Sequence, residues 1–264
     1  ALIGPSGNGR KADVIAMGLN ALAFALLVLG AGRVATDALQ GWSMVALSVL
    51  TFAVLIRREW HSETPVIPLD LLRKPSFRLS TMASTSIFVA QMSSFVALPF
   101  LFQHGFGLPA MSVGLAMTAW PLTLALAGPI AGRFADQVDT ARLCTLGGIA
   151  MAVGLGLAAV WATELVPVLA CLMLAGAGFG FVQVPNNRNM LLAVPRARAG
   201  AAGGSQGTAR LLGQTIGGLA MSIMFALLPD ESVPRLGLAF AAGASALSAL
   251  ISLRRAALPY EPTD

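Results

Sequence analysis

Long apolar stretches alternate with short polar intervals along the whole chain. A helix that crosses the hydrocarbon core of a bilayer needs about 20 predominantly apolar residues, and eight stretches come close to or exceed that length. They cover residues 12–32, 40–57, 81–103, 109–132, 143–162, 165–187, 207–228 and 236–253. The pattern therefore predicts an all-α integral membrane protein with eight transmembrane helices.

The basic residues between these stretches predict the orientation of the helices. Lys and Arg are retained on the cytoplasmic side, whereas acidic residues contribute little to orientation. One alternating set of polar intervals, which includes both ends, holds 15 of the 17 Lys and Arg residues, and the other set holds only Arg33 and Arg235. Because an even number of spans returns the chain to its starting side, we expect both ends to be cytoplasmic.

The composition agrees with this pattern and narrows the classes of function. Hydrophobic residues make up 56% of the chain, charged residues make up 11%, and the mean hydropathy is +0.76. Topology and contact with anionic lipid head groups explain the net charge of +5, so no nucleic-acid partner is expected. Cys144 and Cys171 lie in apolar stretches without metal-ligand spacing, and we interpret them as small apolar fillers. Neither a metal nor a cofactor is predicted.

The longest polar interval, residues 57–78, marks the main boundary along the chain. It contains three prolines and both signs of charge. The pattern predicts a two-helix segment at 1–57, a cytoplasmic linker at 58–80, a six-helix unit at 81–255 and a cytoplasmic tail at 256–264. A second basic interval, residues 188–198, follows the fourth of the six predicted helices. We expect the six helices to be built as three plus three. The chain opens on Ala1 rather than Met, and we expect an upstream part.

A Gly-rich helix end at residues 128–136 runs into a short charged turn. The stretch reads GPIAGRFAD, and Gly128 and Gly132 form a small-xxx-small face that allows close approach of two backbones. Asp136 is placed to pair with neighbouring arginines across the turn and to release them when helices rock. The alternative is a pair of packing glycines followed by an ordinary solvated turn.

A second pattern covers residues 176–218, GAGFGFVQVPNNRNMLLAVPRARAGAAGGSQGTARLLGQTIGG. It combines a Gly-rich span, Pro185 within a helix, a basic turn, a Gly-Ala run and Leu-Gly-Gln-Thr. With the 128–136 stretch and the three-plus-three order, it resembles the fourteen-span drug:proton antiporters of the major facilitator superfamily, most closely the methyl viologen and quaternary ammonium exporters. The resemblance covers residues 12–255 as the last eight of fourteen helices, although residues 137–140 are less basic than the family's turn.

The resemblance implies a major facilitator fold, with this chain supplying the C-terminal six-helix half and two inserted helices, spans seven and eight, before it. It implies proton-coupled efflux of lipophilic or quaternary-ammonium drugs by alternating access, rather than an enzyme, in a bacterial inner (plasma) membrane. The implied partners are a small-molecule substrate, protons, the lipid bilayer and a missing N-terminal six-helix half of the same chain. The alternatives are an exporter of amino acids, sugars or other metabolites, a channel or scaffold, and a membrane-embedded enzyme.

Two short segments match the letters of catalytic or cofactor-binding motifs but lack the structural context that those motifs need. Residues 203–207 match G-x-S-x-G, but that motif needs a strand-turn-helix setting and a histidine partner. His61 and His104, the two histidines of the chain, are predicted at opposite faces of the membrane. The glycines at 176, 178 and 180 lack the strand and the downstream acid of a dinucleotide site, and we predict that they form a packing surface.

Polar side chains at bilayer depth are candidates for a substrate pathway, because they are costly there unless they face a cavity or a partner. These candidates are Gln91, Ser94, Thr118, Gln183, Asn186 and Asn187, with Ser93 and Thr123 as further members. The alternative is interhelical hydrogen bonding, which contributes about 0.6 kcal/mol per bond.

The candidates for a cytoplasmic gate extend the 128–136 motif. They are Gly128, Pro129, Gly132, Arg133, Asp136, Arg188 and Arg210. We expect Arg188 and Arg210 to lie at helix ends, where a long side chain reaches the head groups. If the helix begins near Gly200, Arg210 instead lies inside the protein and needs a partner.

The predicted spans contain no Asp or Glu near their middle. Exchange of a lipophilic cation for a proton favours a carboxylate in the cavity, because an acid carries the two cations in turn at one place. We therefore expect this carboxylate in the missing half. The alternative is a neutral or anionic substrate, which an arginine in the cavity would favour.

Overall fold

A computed structural model describes residues 14–34, 36–59, 71–194 and 199–258. Within these ranges the chain is helical and contains no strand. The α-helices are α1 (Val14–Arg33), α2 (Ala38–Glu59), α3 (Pro75–Phe100), α4 (Ala110–Met117), α5 (Ala119–Phe134), α6 (Thr140–Val160), α7 (Leu165–Leu192), α8 (Ala199–Leu227) and α9 (Val233–Ala256). A short 3₁₀ turn, Leu71–Arg73, precedes α3, and a π-helical turn, Leu101–Gly105, continues it.

The all-α membrane architecture predicted from the sequence is confirmed. Within the described ranges, seven segments are long and apolar enough to cross a membrane, and α4 and α5 together form one of them, Ala110–Phe134. The first predicted span overlaps α1, whose apolar part, Gly18–Gly30, is shorter than the others. Helices are the expected form, because a bilayer offers no water to satisfy free backbone N–H and C=O groups.

The helices extend further at their polar ends than the apolar stretches predicted. α3 begins at Pro75 instead of residue 81, α8 begins at Ala199 instead of residue 207, and α7 continues to Leu192. Proline is well tolerated in the first turn of a helix, where its missing N–H has no intrahelical partner. Hydropathy marks the part of a helix that lies in hydrocarbon, so it misses polar turns that continue beyond it.

Four helices form the centre of the six-helix unit. α6 packs against α7 and α9, and α3 packs against α9 and, less extensively, against α7. α5 packs mainly on α7, and α8 mainly on α3, so both lie at the flanks. Phe88 of α3 and Phe179 of α7 meet edge-on in the shared core, with ring centroids 5.6 Å apart.

Glycines allow the closest helix crossings. A Cβ atom on Gly147 of α6 would lie 2.6 Å from the carbonyl oxygen of Gly178 on α7, and the reverse distance is the same. A Cβ on Gly217 of α8 would lie 2.7 Å from the Val89 carbonyl oxygen of α3. Gly180 also packs closely, with Ala127 of α5 at 3.2 Å. The predicted packing surface at residues 176–180 is therefore confirmed.

The glycine pair of the 128–136 motif packs less tightly than Gly147 and Gly178 do. Gly128 and Gly132 both face the side chain of Val184 on α7, at 3.8 Å from an added Cβ. That distance is an ordinary van der Waals contact with a side chain, and Gly132 has no backbone neighbour within range. The pair therefore lies on the α5–α7 contact, where a Cβ added to Gly180 of α7 would lie 3.6 Å from the Gly128 backbone nitrogen, while Gly132 lies against the Val184 side chain.

α1 and α2 pack mainly against each other, and α1 also touches α8. The Ser48 hydroxyl of α2 donates to the Ala23 carbonyl of α1 at 2.7 Å, and Phe24 and Phe52 meet edge-on with centroids 5.1 Å apart. The pair forms a helical hairpin beside the six-helix unit.

Candidate functional site

An ion pair connects the turn between α5 and α6 to the end of α7. Asp136 Oδ1 lies 2.5 Å from Arg188 Nη1, and their side chains are 62% and 39% exposed. The sequence predicted that Asp136 pairs with an arginine, but the partner belongs to another helix instead of the same turn. Exposed ion pairs contribute about 0–1 kcal/mol, so this one is easily broken and re-formed.

The other members of the predicted gate surround this pair. Arg133 is exposed in the last turn of α5, and Pro129 lies inside that helix. Arg188 lies about one turn before the end of α7, and both it and its partner are accessible at the surface. The structure therefore places Asp136 and Arg188 together and leaves Arg210 elsewhere.

Most predicted pathway hydroxyls bond to a backbone carbonyl three residues earlier in the chain. Ser94 donates to the Gln91 carbonyl at 2.8 Å, Thr118 to the Leu115 carbonyl at 2.6 Å, and Thr123 to the Trp120 carbonyl at 3.0 Å. The interhelical alternative applies to Ser93, whose hydroxyl lies 3.4 Å from the Gly217 carbonyl oxygen of α8. Ser205 likewise lies within α8 and donates to the Ala201 carbonyl at 3.1 Å, so residues 203–207 are not a nucleophile elbow.

Three predicted pathway amides keep free hydrogen-bonding groups. Gln91 of α3 and Gln183 and Asn187 of α7 are half-buried, and their side chains have no hydrogen-bond partner in the described part of the chain. α3 and α7 are adjacent and antiparallel. Gln91 lies about 16 Å from Ser80 along the α3 axis, at 1.5 Å per residue. The free amides are thus distributed over more than one depth.

Arg210 lies inside α8, about 16 Å along the helix axis from Ala199 at 1.5 Å per residue. The expectation that it lies at a helix end is wrong, because the Gly-Ala run is part of α8. Its guanidinium carbon lies 5.5 Å from the centroid of the Phe88 ring, while the side chain remains exposed. No carboxylate in the described ranges forms an ion pair with it. The aromatic ring is its partner, and such contacts contribute about 0.5–2 kcal/mol.

An aromatic cluster lies beside this cation. Trp120 of α5 contacts Phe95 and Phe179, with centroids 5.3 and 6.0 Å away, and Phe179 contacts Phe88. Trp120 is 1% exposed, and its Nε1 has no hydrogen-bond partner within the described residues. This cluster was not predicted, because aromatic residues in apolar spans are not distinguishable by pattern from ordinary core residues.

A buried arginine was also missed. Arg255 of α9 is 5% exposed, and its Nη1 donates to Ser80 Oγ and Asn186 Oδ1, both at 2.6 Å. Its Nη2 lies 3.5 Å from Cys144 Sγ. Arg255 follows the predicted span 236–253, and hydropathy cannot tell a buried helix end from a solvated one. Cys144 is therefore a member of a polar network as well as a small filler.

This network also revises the role of Asn186. Its amide nitrogen donates to the Ser80 carbonyl at 3.0 Å, while its oxygen accepts from Arg255. Asn189, one turn further along α7, donates to Ser80 Oγ at 2.9 Å. Asn186 is 1% exposed, so it holds helices together and is not free to contact a substrate in this conformation.

The Asp and Glu residues of the described ranges stand at helix ends or in turns along the chain. They are Asp37, Glu59, Asp136, Asp139, Glu164, Asp230 and Glu231. Asp139 caps α6, where its carboxylate accepts from the Ala141 backbone N–H at 2.9 Å. Within those ranges the spans therefore contain no internal acid, as the sequence indicated.

The fold and the site define a multi-pass helical membrane protein in which a six-helix unit carries polar contacts at one end. Residues 79–263 match the family model of the Major Facilitator Superfamily, and the chain belongs to that superfamily. The predicted family is thus confirmed, and with it membership in a family of membrane transporters.

Curated relatives give finer comparisons. The chain is 35% identical to the uncharacterized transporter YebQ of Escherichia coli K12, over 85% of this chain and 51% of that protein. It is 30% identical to the riboflavin transporter RibZ of Clostridioides difficile, over 68% of this chain and 40% of RibZ. It is 27% identical to the multidrug export protein EmrB of Escherichia coli K12, over 55% of this chain and 30% of EmrB. The chain spans about half, or less, of the length of these relatives.

Proposed function

We propose that this chain forms one half of a proton-coupled exporter of lipophilic or quaternary-ammonium drugs. The observation that carries the proposal is the exposed Asp136–Arg188 pair, which connects the α5–α6 turn to α7 within the region matched by the superfamily model. Similarity to a multidrug export protein supports the choice of substrate class.

The mechanism that we propose is rocking of two six-helix halves around a site near the midplane of the membrane. The surfaces of α5 and α8 that do not pack on α7 and α3 would face the second half. The free amides of Gln91, Gln183 and Asn187 would contact substrate from this half. The Asp136–Arg188 pair would form in one orientation of the halves and break in the other.

The proton-carrying group would come from the second half, expected upstream in the same polypeptide. Exchange of a cation for a proton favours a carboxylate in the cavity, and the described spans contain no internal Asp or Glu. We also propose a bacterial inner membrane as the location, with both ends of the chain in the cytoplasm.

An export assay in cells tests this function. A bacterial strain lacking its own drug exporters would express the protein at its full natural length and be loaded with a fluorescent quaternary-ammonium dye. We expect lower dye accumulation than in the empty-vector strain, and recovery of accumulation when a protonophore is added. Equal accumulation with and without the protein, at confirmed membrane expression, would contradict the proposal.

A second candidate is export of a planar substrate that is neutral or anionic. Arg210 favours it, because an exposed cation over the Phe88 ring suits an anionic or electron-rich aromatic group. The relative named as a riboflavin transporter is consistent with such a substrate.

Substitution of Arg210 distinguishes the two candidates. For an anionic substrate, Arg210→Ala should raise KM about tenfold, since a charged hydrogen bond contributes about 1.5–3 kcal/mol, whereas Arg210→Lys should retain most of the affinity. For a cationic dye, Arg210→Ala should lower KM, because a repelling charge is removed. The direction of the KM change in transport assays with both substrates decides between them.

A further inference from the structure

The buried guanidinium of Arg255 lies at the meeting point of four helices. It contacts Ser80 of α3, Cys144 of α6 and Asn186 of α7, and itself belongs to α9. Ser80 is fully buried and also accepts a hydrogen bond from Asn189. α3, α6, α7 and α9 are the helices that form the centre of the six-helix unit.

The acceptors of Arg255 are neutral. Ser80 offers a hydroxyl, Asn186 an amide oxygen and Cys144 a sulfur atom, and no carboxylate within the described ranges forms an ion pair with Arg255. A buried charge is tolerated when its hydrogen-bonding groups are well placed, and it becomes strongly unfavourable when one partner is removed. The four helix ends are therefore held in one arrangement, because separating them would leave the cation without acceptors.

The same contacts fix the last turns of α7. Asn186 and Asn189 are three residues apart and lie on one face of the helix, where Ser80 and Arg255 hold them. Arg188 lies between them in sequence but on another face, and it reaches Asp136 in the α5–α6 turn. The orientation of Arg188 therefore depends on the face of α7 that Arg255 holds.

We infer that Arg255 is a positioning residue that clamps the cytoplasmic ends of α3, α6, α7 and α9 and thereby holds Arg188 within reach of Asp136. The inference rests on the proposed function for its link to transport. The clamp itself is inferred from the hydrogen bonds of Arg255 and does not depend on the proposed function. In the rocking cycle these four helices move as one body, while the exposed ion pair breaks and re-forms.

Cys144 provides a reporter of the clamp that does not depend on transport. Its side chain is fully buried and lies beside Arg255. The protein at its full natural length would be treated with N-ethylmaleimide in membrane vesicles, and the peptides containing Cys144 and Cys171 would be quantified by mass spectrometry. Cys171 is 5% exposed and does not contact the network, so it serves as the internal reference.

Arg255→Ala should raise the rate of Cys144 modification about tenfold, since the loss of hydrogen bonds from a charged group favours local opening, and leave the rate at Cys171 unchanged. Arg254→Ala is the matched control, because Arg254 is exposed on the same helix and its loss changes the charge equally. Ser80→Ala, which retains the cation and removes one acceptor, should give an intermediate rate. Arg255→Lys should restore part of the protection.

The transport readout tests the link to the gate. Arg255→Ala should lower Vmax severalfold with little change in KM, because Arg255 does not contact substrate. Addition of Asp136→Asn should then cause little further loss of Vmax, since both changes act through one ion pair.

Two outcomes would overturn the inference. Equal rates of Cys144 modification in the Arg255→Ala, Ser80→Ala and unsubstituted proteins would show that Arg255 does not clamp the helices. Fully additive losses of Vmax in Arg255→Ala and Asp136→Asn would show that the clamp does not act through Asp136. If the unsubstituted protein transports no substrate, the proposed function is contradicted. The rate of Cys144 modification still tests the clamp, because that measurement does not depend on transport.

Discussion

Three arginines of this chain occupy three different environments. Arg188 is half exposed and pairs with Asp136, Arg210 lies over the Phe88 ring, and Arg255 is buried among neutral acceptors. In the sequence each follows or interrupts an apolar stretch in a similar way. The environment, and not the residue type, determines whether an arginine forms an exposed ion pair, lies over an aromatic ring or holds helices together.

The Asp136–Arg188 pair should matter for export and little for stability. Asp136→Asn should lower export severalfold, while the free energy of unfolding changes by less than about 1 kcal/mol because the pair is exposed. The charge swap Asp136→Arg with Arg188→Asp should restore part of the export that either single substitution removes. Dye efflux rates and thermal unfolding in detergent measure the two effects. A swap that is as inactive as the single variants would contradict a role for the pair.

Asn186 and Asn187 form a matched pair for a second prediction. Asn186→Ala removes an acceptor from buried Arg255 and should destabilise the protein by about 2–4 kcal/mol. Asn187 has no hydrogen-bond partner in the described ranges, so Asn187→Ala should leave the thermal unfolding temperature nearly unchanged and raise KM for substrate. A larger loss of stability in Asn187→Ala than in Asn186→Ala would reverse these assignments.

The helices are joined by two types of glycine contact, which differ in the atom that a Cβ added to the glycine would meet. Gly178 of α7 would place it 2.6 Å from the Gly147 carbonyl oxygen, whereas Gly128 of α5 would place it 3.8 Å from a Val184 methyl group. The first contact fixes the α6–α7 crossing by backbone geometry. The second leaves room for a methyl group.

Alanine substitutions test this difference. Gly178→Ala should destabilise the protein by several kcal/mol, because α6 and α7 must separate to accept the methyl group. Gly128→Ala should be neutral or stabilise by up to about 1 kcal/mol through its higher helix propensity. Thermal unfolding of the two variants in the same detergent provides the comparison. A greater loss in Gly128→Ala would show that the 128–136 motif, and not the α6–α7 crossing, is the tighter contact.

The sequence predicted the helical type because about 20 apolar residues suffice to identify a span. Seven of the eight predicted spans match segments long enough to cross a membrane, and the first overlaps the shorter apolar part of α1. The sequence placed the start of α8 at residue 207 instead of Ala199, since Gly and Ala carry too little hydropathy to mark a helix. It did not identify the Arg255 network, because the contact between Ser80 and Asn186 depends on how α3, α7 and α9 pack. It did predict Asp136 and Arg188 as gate residues, although not that they pair with each other.

For the whole molecule, the two flanking helices α5 and α8 offer the surfaces on which a second half would pack. α5 and α8 each pack mainly on one neighbour, and both expose large apolar side chains such as Leu122, Leu126 and Leu211. The chain spans about half, or less, of the length of its compared relatives. We expect the six-helix unit to have low stability in isolation, because a half without its partner would leave a polar cavity wall in contact with lipid.

The orientation of the chain gives a further prediction at this scale. The positive-inside pattern predicts that a fluorescent protein fused after Asp264 remains in the cytoplasm and fluoresces, whereas alkaline phosphatase fused at the same place is inactive. Fusions in the α8–α9 turn, near Asp230, should behave in the opposite way. An active phosphatase after Asp264 would contradict the proposed orientation.

Proton movement coupled to substrate tests the central proposal most directly. The protein at its full natural length would be reconstituted in liposomes that contain a pH-sensitive dye, and a quaternary-ammonium substrate would be added on one side. We expect protons to move in the direction opposite to the substrate, and Asp136→Asn to slow both fluxes in the same proportion. Substrate movement without any accompanying proton flux would contradict it.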